Sequence, residues 1–203
     1  MGLGISLTTK SELGTSPISS LPYVLSQIFP LTFGEFTFLL SLVFLLVQVA
    51  LLGRDFPARQ SLQLLVGALF GVFVDLGMRL FAHLNPQAYP VKIFVLVAGS
   101  SLMACGVYLQ VVANALINPG EGAVKAIARK TGMRFGHIKV AFDLTLVAGA
   151  MALSFTTFRS VKGIREGTLI CALLVGTMTN GISLTARRNS FGRKCLAYLL
   201  RAH

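Results

Sequence analysis

The chain has 203 residues, of which 54% are hydrophobic and 12% are charged. Ordinary soluble proteins carry about 25% charged residues, so this composition excludes a soluble globule as well as disordered, collagen-like and coiled-coil chains. The net charge of +11 is concentrated in short segments between apolar runs. This pattern favours loops that face anionic lipid headgroups over a nucleic-acid-binding surface.

The apolar runs predict an all-α, polytopic helical membrane protein. Residues 1–7 are apolar but too short to cross a bilayer, and residues 18–28 have the helical period of a short interfacial or re-entrant helix. Five longer runs predict membrane spans, at 36–52, 62–81, 91–117, 140–158 and 168–184. The basic segment 186–203 follows as a tail that we expect to lie on the membrane surface.

An internal repeat relates the two halves of the chain. A shift of 102 residues aligns Pro17 with Pro119 and Phe33-Gly34 with Phe135-Gly136, and a shift of 105 aligns Gly71 with Gly176 and Asp75 with Asn180. We therefore predict two units, at 1–85 and 90–185, in which the first helix of the first unit is truncated. Their helix-breaking elements are Pro17, Gly34, Pro119, Gly120 and Gly136.

The number of spans between the two prolines predicts the orientation of the units. Three spans separate Pro17 from Pro119, so the second unit is expected to be inverted in the membrane, as an imperfect 3+3 repeat. Twelve of the 18 Lys and Arg residues fall on the side of the C-terminal tail. The positive-inside rule therefore predicts a multi-pass inner-membrane protein with a cytoplasmic C-terminus.

Several glycine-rich motifs carry a family resemblance. They are Asn118-Pro119-Gly120, Arg134-Phe135-Gly136, Gly167-Thr168-Leu169 and the segment 172–176. Over about residues 4–184 the chain resembles the YczE/YitT-like family of bacterial integral membrane proteins. The resemblance implies a helical membrane fold, an acidic residue at the position of Asp143, and transport as the expected function. The chain departs from the family pattern at 16–20, which lacks an acidic residue, and in its incomplete first helix. Two alternatives stay open for that helix: the true start lies upstream of Met1, or the protein has five spans and a defective first unit.

Two carboxylates lie inside predicted spans, which makes each a candidate for function. Asp75 has Arg79 four residues after it, and Asp143 has Lys139 four residues before it. At this spacing each pair can also neutralise itself as a purely structural intramembrane ion pair. Both interpretations stay open.

The other candidate pathway residues are amides. Asn114 and Asn118 flank a predicted helix end, where unwound backbone could coordinate an ion or solute, although a simple helix cap is the alternative. With Asn180, Asp75 and Asp143, they are predicted to line a solute or ion pathway. Gly67 and Gly71 form a small-xxx-small face suited to an internal helix contact or to a homodimer.

No enzyme motif is present in the sequence. It contains no HExxH, P-loop or GxSxG pattern, and its three cysteines have no metal-ligand spacing. We expect no catalysis, no metal and no cofactor. The predicted function is a small-solute transporter or exporter that works by alternating access. The alternative is a non-transporting membrane scaffold, partner subunit or sensor.

Overall fold

The computed structural model describes residues 1–112, 117–159, 163 and 165–188, and these residues form an all-helical fold. The helices, in chain order, are α1 (Gly2–Lys10), α2 (Pro17–Ile28), α3 (Phe33–Leu52), α4 (Gln63–Leu80), α5 (Tyr89–Val112), α6 (Pro119–Thr131), α7 (Phe135–Phe158) and α8 (Glu166–Arg188). Short 3-10 turns at Gly53–Asp55 and Ala58–Leu62 connect α3 to α4. The predicted all-α class is confirmed.

Four segments of the described chain are long and apolar enough to cross a membrane. They are Phe33–Leu52, Gln60–Leu80, Tyr89–Gln110 and Phe135–Phe158. The fifth predicted span falls within α8, whose described apolar part, Glu166–Thr179, is shorter than a bilayer requires. The membrane-protein class therefore stands, and the fifth span stays a prediction.

The surface of the spans is apolar, and much of the interior is polar. Leucine, valine and phenylalanine side chains point outward along α3, α4, α5 and α7, whereas hydroxyl side chains are buried. Lipid offers no hydrogen-bond partners, so polar groups in a membrane protein turn inward. The first twenty residues are especially rich in buried hydroxyls: Ser6, Thr8, Thr9, Ser11, Thr15, Ser16, Ser19 and Ser20.

The short helix α1 packs between α4 and α5 at backbone distance. A Cβ atom at Gly4 would lie 2.6 Å from Met103 Cγ and 2.8 Å from the carbonyl oxygen of Gly99, both on α5. On the opposite side, the hydroxyl of Ser6 donates a hydrogen bond of 2.7 Å to the Val74 carbonyl of α4. Because the side chains of α1 are small at these positions, the short helix is buried in close contact with both α4 and α5.

Helices α2 and α6 both begin at a proline, and their N-terminal ends meet inside the bundle. Proline suits the first turn of a helix because its missing amide proton is not needed there. The side chain of Ile18, on α2, contacts Gly120, on α6. It also packs on the apolar cluster of Phe44, Ala123 and Leu146, which joins α3, α6 and α7.

The helix contacts fall into matching sets. Each helix of the first half (α1, α2, α3 and α4) corresponds to the helix four places later (α5, α6, α7 and α8). Under this exchange, the contact of α1 with α4 corresponds to that of α5 with α8, and the contact of α2 with α3 to that of α6 with α7. Likewise, the contact of α2 with α7 corresponds to that of α3 with α6, the contact of α2 with α8 to that of α4 with α6, and the contact of α1 with α5 to itself. One extensive contact breaks this pattern: α3 packs closely on α4, whereas α7 and α8 make no comparable contact over their described residues.

Candidate functional site

Helices α3 and α4 cross at two glycines. A Cβ atom at Gly71 would lie 2.5 Å from the Gly34 carbonyl oxygen, and a Cβ at Gly34 would overlap the Gly71 carbonyl. One turn further along the interface, Gly67 faces Ser41 of α3. The small-xxx-small face of α4 therefore serves an internal helix contact.

The carboxylate of Asp75 binds the N-terminal end of α3. Its Oδ1 accepts a hydrogen bond of 2.7 Å from the Gly34 amide, and its Oδ2 accepts one of 2.6 Å from the Thr32 hydroxyl. A helix N-terminus has unpaired amide protons and a partial positive charge, which together stabilise a carboxylate.

The predicted pairing of Asp75 with Arg79 is not what the structure shows. Among the described residues, no ion pair joins these two side chains. The i,i+4 rule considers one helix alone, and here the Gly34 amide and the Thr32 hydroxyl at the start of a neighbouring helix are the partners of Asp75.

A capping box completes the start of α3. The Thr32 hydroxyl accepts a hydrogen bond of 3.1 Å from the Glu35 amide, and Glu35 Oε2 accepts one of 2.7 Å from the Thr32 amide. Thr32 therefore bridges the two carboxylates of Glu35 and Asp75. The T-x-x-E spacing is a sequence signature of this motif, although it does not reveal the part played by Asp75.

Two neighbouring cavities that share Met78 open beside this cap, and we call them together the polar vestibule. One has a volume of about 260 Å³ and includes five polar or charged side chains: Ser26, Gln27, Thr32, Asp75 and Arg79. The other has a volume of about 270 Å³ and includes five more: Thr9, Lys10, Glu12, Tyr23 and Asn85. The vestibule thus contains groups of both charge signs.

In the second cavity, Glu12 is held in an ion pair and Tyr23 is uncharged. Lys92 of α5 donates a hydrogen bond of 2.6 Å to Glu12, which fixes the segment after α1 to the start of α5. Burial, and to a smaller extent the Glu12 carboxylate, raises the pKa of Tyr23 above its ordinary value. The phenol therefore stays neutral at physiological pH.

Asp143 pairs with Lys139 on its own helix, at the spacing noted in the sequence. The distance from Lys139 Nζ to Asp143 Oδ1 is 2.5 Å, and the two side chains are partly exposed. The helices that carry Asp75 and Asp143, α4 and α7, form no extensive contact over the described residues. The structure therefore does not bring these two carboxylates into one site.

Of the three amide residues predicted to line a pathway, the structure describes the side chain of one. Asn118 caps α6, and its Oδ1 accepts a hydrogen bond of 3.2 Å from the Gly120 amide. Asn114 lies outside the described residues, as does most of the basic tail at 189–203, and Asn180 belongs to α8 but its side chain is outside the described part. Their role in a pathway stays a prediction.

A buried amide pair fixes the start of α6. Gln48 of α3 donates hydrogen bonds of 3.0 Å to the Pro119 carbonyl and 3.1 Å to Gln63 Oε1. Both glutamines are almost completely buried. As uncharged polar residues in apolar runs, Gln48 and Gln63 are expected to join helices, whereas Thr32 and Tyr23 are the site residues that charge-based reasoning overlooked.

No cluster of three or more potential metal ligands occurs among the described residues.

Comparison with known proteins places the chain in a family. Residues 1–183 match the model of a family of unknown function, DUF6198. The chain belongs to this family. It is also 28% identical over 177 residues to the uncharacterized membrane protein YczE of Bacillus subtilis (strain 168), which covers 87% of this chain and 77% of that protein. No solved structure matches the chain significantly. The resemblance to YczE-like membrane proteins is confirmed.

Proposed function

We propose that this membrane protein is a small-solute transporter or exporter that works by alternating access between two inverted repeats. The observation that carries the proposal is the exchange symmetry of the helix contacts, in which each unit contributes a full-length span and a proline-initiated half-helix to the other. Inverted repeats whose broken helices meet in the membrane interior are the common architecture of secondary transporters.

The polar vestibule supports a solute with an anionic group. Arg79 lines the cavity beside Asp75, and no ion pair engages its guanidinium among the described residues. A guanidinium binds carboxylate or phosphate oxygens in a bidentate manner. A cavity of about 260 Å³ suits a solute the size of an amino acid or a small organic acid.

The inverted topology is tested with two single cysteines. Gln27 and Lys130 lie near the C-terminal ends of α2 and α6, and both are exposed. Each would be changed to cysteine in a chain whose native Cys105, Cys171 and Cys195 are replaced by alanine. An impermeant maleimide added to intact cells should label Gln27→Cys and not Lys130→Cys. Equal labelling of the two positions would contradict the inversion.

Transport is tested by uptake of radiolabelled amino acids and dicarboxylates into proteoliposomes. Uptake of an anionic or zwitterionic solute should fall at least about tenfold in Arg79→Gln, because a lost charge-assisted bond costs about 1.5–3 kcal/mol. Arg54→Gln, at an exposed position in the turn after α3 and outside both cavities, is the matched control and should leave uptake unchanged. A chain of confirmed inverted topology that moves none of these solutes would support the alternative of a non-transporting scaffold, partner subunit or sensor.

The proposed partners of the protein are the lipid bilayer and its anionic headgroups. The lipid bilayer surrounds the apolar spans, and Lys125, Arg129, Lys130 and Arg134 are exposed at the end of α6 and the start of α7. Such a cluster suits anionic lipid headgroups. It is expected to strengthen binding to vesicles that contain phosphatidylglycerol.

A further inference from the structure

The α3–α4 contact, which has no comparable counterpart between the described residues of α7 and α8, indicates which conformational state of the protein the structure shows. Residues at the α3–α4 crossing have counterparts in the second unit: Gly34 corresponds to Gly136, and Gly71 corresponds to Gly176. Gly34 and Gly71 are buried against each other. A Cβ atom built on Gly136 or on Gly176 meets no atom within 4 Å.

The neighbouring positions repeat the difference. Ser41 of α3 is buried and packs on Gly67, so that a Cβ at Gly67 would lie 2.9 Å from the Ser41 Cβ. Of their counterparts, Asp143 is partly exposed and Ala172 is exposed. The α3–α4 crossing is therefore closed along its length, and the equivalent α7–α8 crossing is open.

We propose that these two crossings are the gates of the transport cycle, and that the structure shows the α3–α4 gate closed and the α7–α8 gate open. In the opposite state, Gly136 and Gly176 would meet as Gly34 and Gly71 do now, and the α3–α4 crossing would part. Because α7 begins on the side of the C-terminal tail, the open gate faces the predicted cytoplasm. This inference rests on the proposed function and adds the parts that move.

The matched composition of the crossings supports closure by the chain's own helices rather than by a second copy. A lipid-facing surface has no need for glycines at the two positions that correspond to the Gly34–Gly71 contact, and a dimer contact through them would give cross-links between two chains rather than within one. Two packings of one crossing that differ little in free energy are the usual basis of such switches. In an inverted repeat, each unit can adopt the packing of the other, so the α7–α8 crossing is expected to close in the way that the α3–α4 crossing does.

The test compares two cysteine pairs in the full chain without its native cysteines, reconstituted in liposomes. Ser41→Cys/Gly67→Cys marks the closed crossing, where the two Cβ positions are 2.9 Å apart, so a small local shift should allow this pair to form a disulfide rapidly with copper phenanthroline. Asp143→Cys/Ala172→Cys marks the open crossing and should be cross-linked slowly within one chain, as the opposite state is visited. The single variant Asp143→Cys, which also loses the Lys139 ion pair, is the control.

A large side chain at Gly136 tests whether cross-linking of the second pair needs closure of the α7–α8 crossing or results from random collision of the two thiols. Gly136→Leu has room in the present state but would overlap α8 in the closed one, so it should reduce cross-linking of the second pair at least about tenfold. The first pair should keep its rate. Size-exclusion chromatography confirms that the variant is folded.

Three results would overturn the gate assignment: no cross-link in the second pair although maleimide modifies both thiols, no effect of Gly136→Leu, or cross-links only between two chains. If the variants lose their monodisperse elution, hydrogen exchange of the unaltered chain decides instead. Amides near Gly71 should then be protected more strongly than those near Gly176. The cross-links need no solute, so a protein that closes both gates without transport refutes the proposed function alone.

Discussion

At the residue scale, Asp75 shows how a carboxylate in a membrane helix is stabilised by its neighbour's backbone. Replacing Asp75 by alanine removes two hydrogen bonds to a charged acceptor and leaves the Gly34 amide unpaired. We expect the free energy of unfolding to fall by about 2–3 kcal/mol. Asp75→Asn keeps one carbonyl acceptor and should lose about half as much, as measured by denaturant unfolding in detergent micelles.

The matched control for this prediction is Arg79→Ala. Because no ion pair joins Arg79 to Asp75, the unfolding free energy should change by less than about 0.5 kcal/mol. An equal loss in the two variants would mean that the predicted i,i+4 pair forms after all.

The pair of Lys139 and Asp143 provides a second measurement at this scale. Both side chains are partly exposed, and such i,i+4 pairs contribute about 0.3–0.5 kcal/mol. A double-mutant cycle with Lys139→Gln and Asp143→Asn should therefore give a coupling energy below about 1 kcal/mol. A coupling of several kcal/mol would place the pair deep in the hydrocarbon region and restore Asp143 as a functional candidate.

At the element scale, the buried amides at the start of α6 are expected to be costly to remove. Gln48→Leu has a similar volume but leaves the Pro119 carbonyl and Gln63 Oε1 without their donor. An unsatisfied buried polar group costs about 1–3 kcal/mol. Thermal unfolding should show this loss, while the exposed Gln27→Leu should have little effect.

The glycine crossings give the sharpest comparison between elements. Gly34→Ala forces a methyl group into the Gly71 carbonyl, so we expect a loss of about 1–3 kcal/mol or more. Gly136→Ala occupies open space and should leave stability unchanged or slightly raise it, because alanine is the better helix former. Equal destabilisation by both changes would indicate that the two crossings are equally packed.

At the scale of the whole molecule, hydropathy and punctuation predicted much of the fold. Proline and phenylalanine-glycine pairs marked the starts of α2, α3, α6 and α7, because these residues fix where a helix can begin. The Asp75 cap and the hydrogen-bond partners of Gln48 and Gln63 were not predictable. They depend on which helices cross and at what depth, and hydropathy carries no information on either.

The same limit explains why the fifth span is not settled by length alone. The apolar run at 168–184 predicts a span, and the structure describes an apolar part of α8 over Glu166–Thr179. A helix of this kind is placed in a bilayer by the helices that it contacts, and α8 contacts α5 rather than α7. Pairwise packing, and not composition, decides its position.

The burial of α1 has a consequence for the order in which the molecule assembles. Nine residues rise about 14 Å, less than half the thickness of the hydrocarbon core, so the α1 segment by itself is too short to cross a bilayer. Gly2 and Gly4 pack against α4 and α5, and the Ser6 hydroxyl donates a hydrogen bond to the Val74 carbonyl of α4. Both partner helices follow α1 in the chain, so α1 can reach its buried position only after α4 and α5 have been inserted.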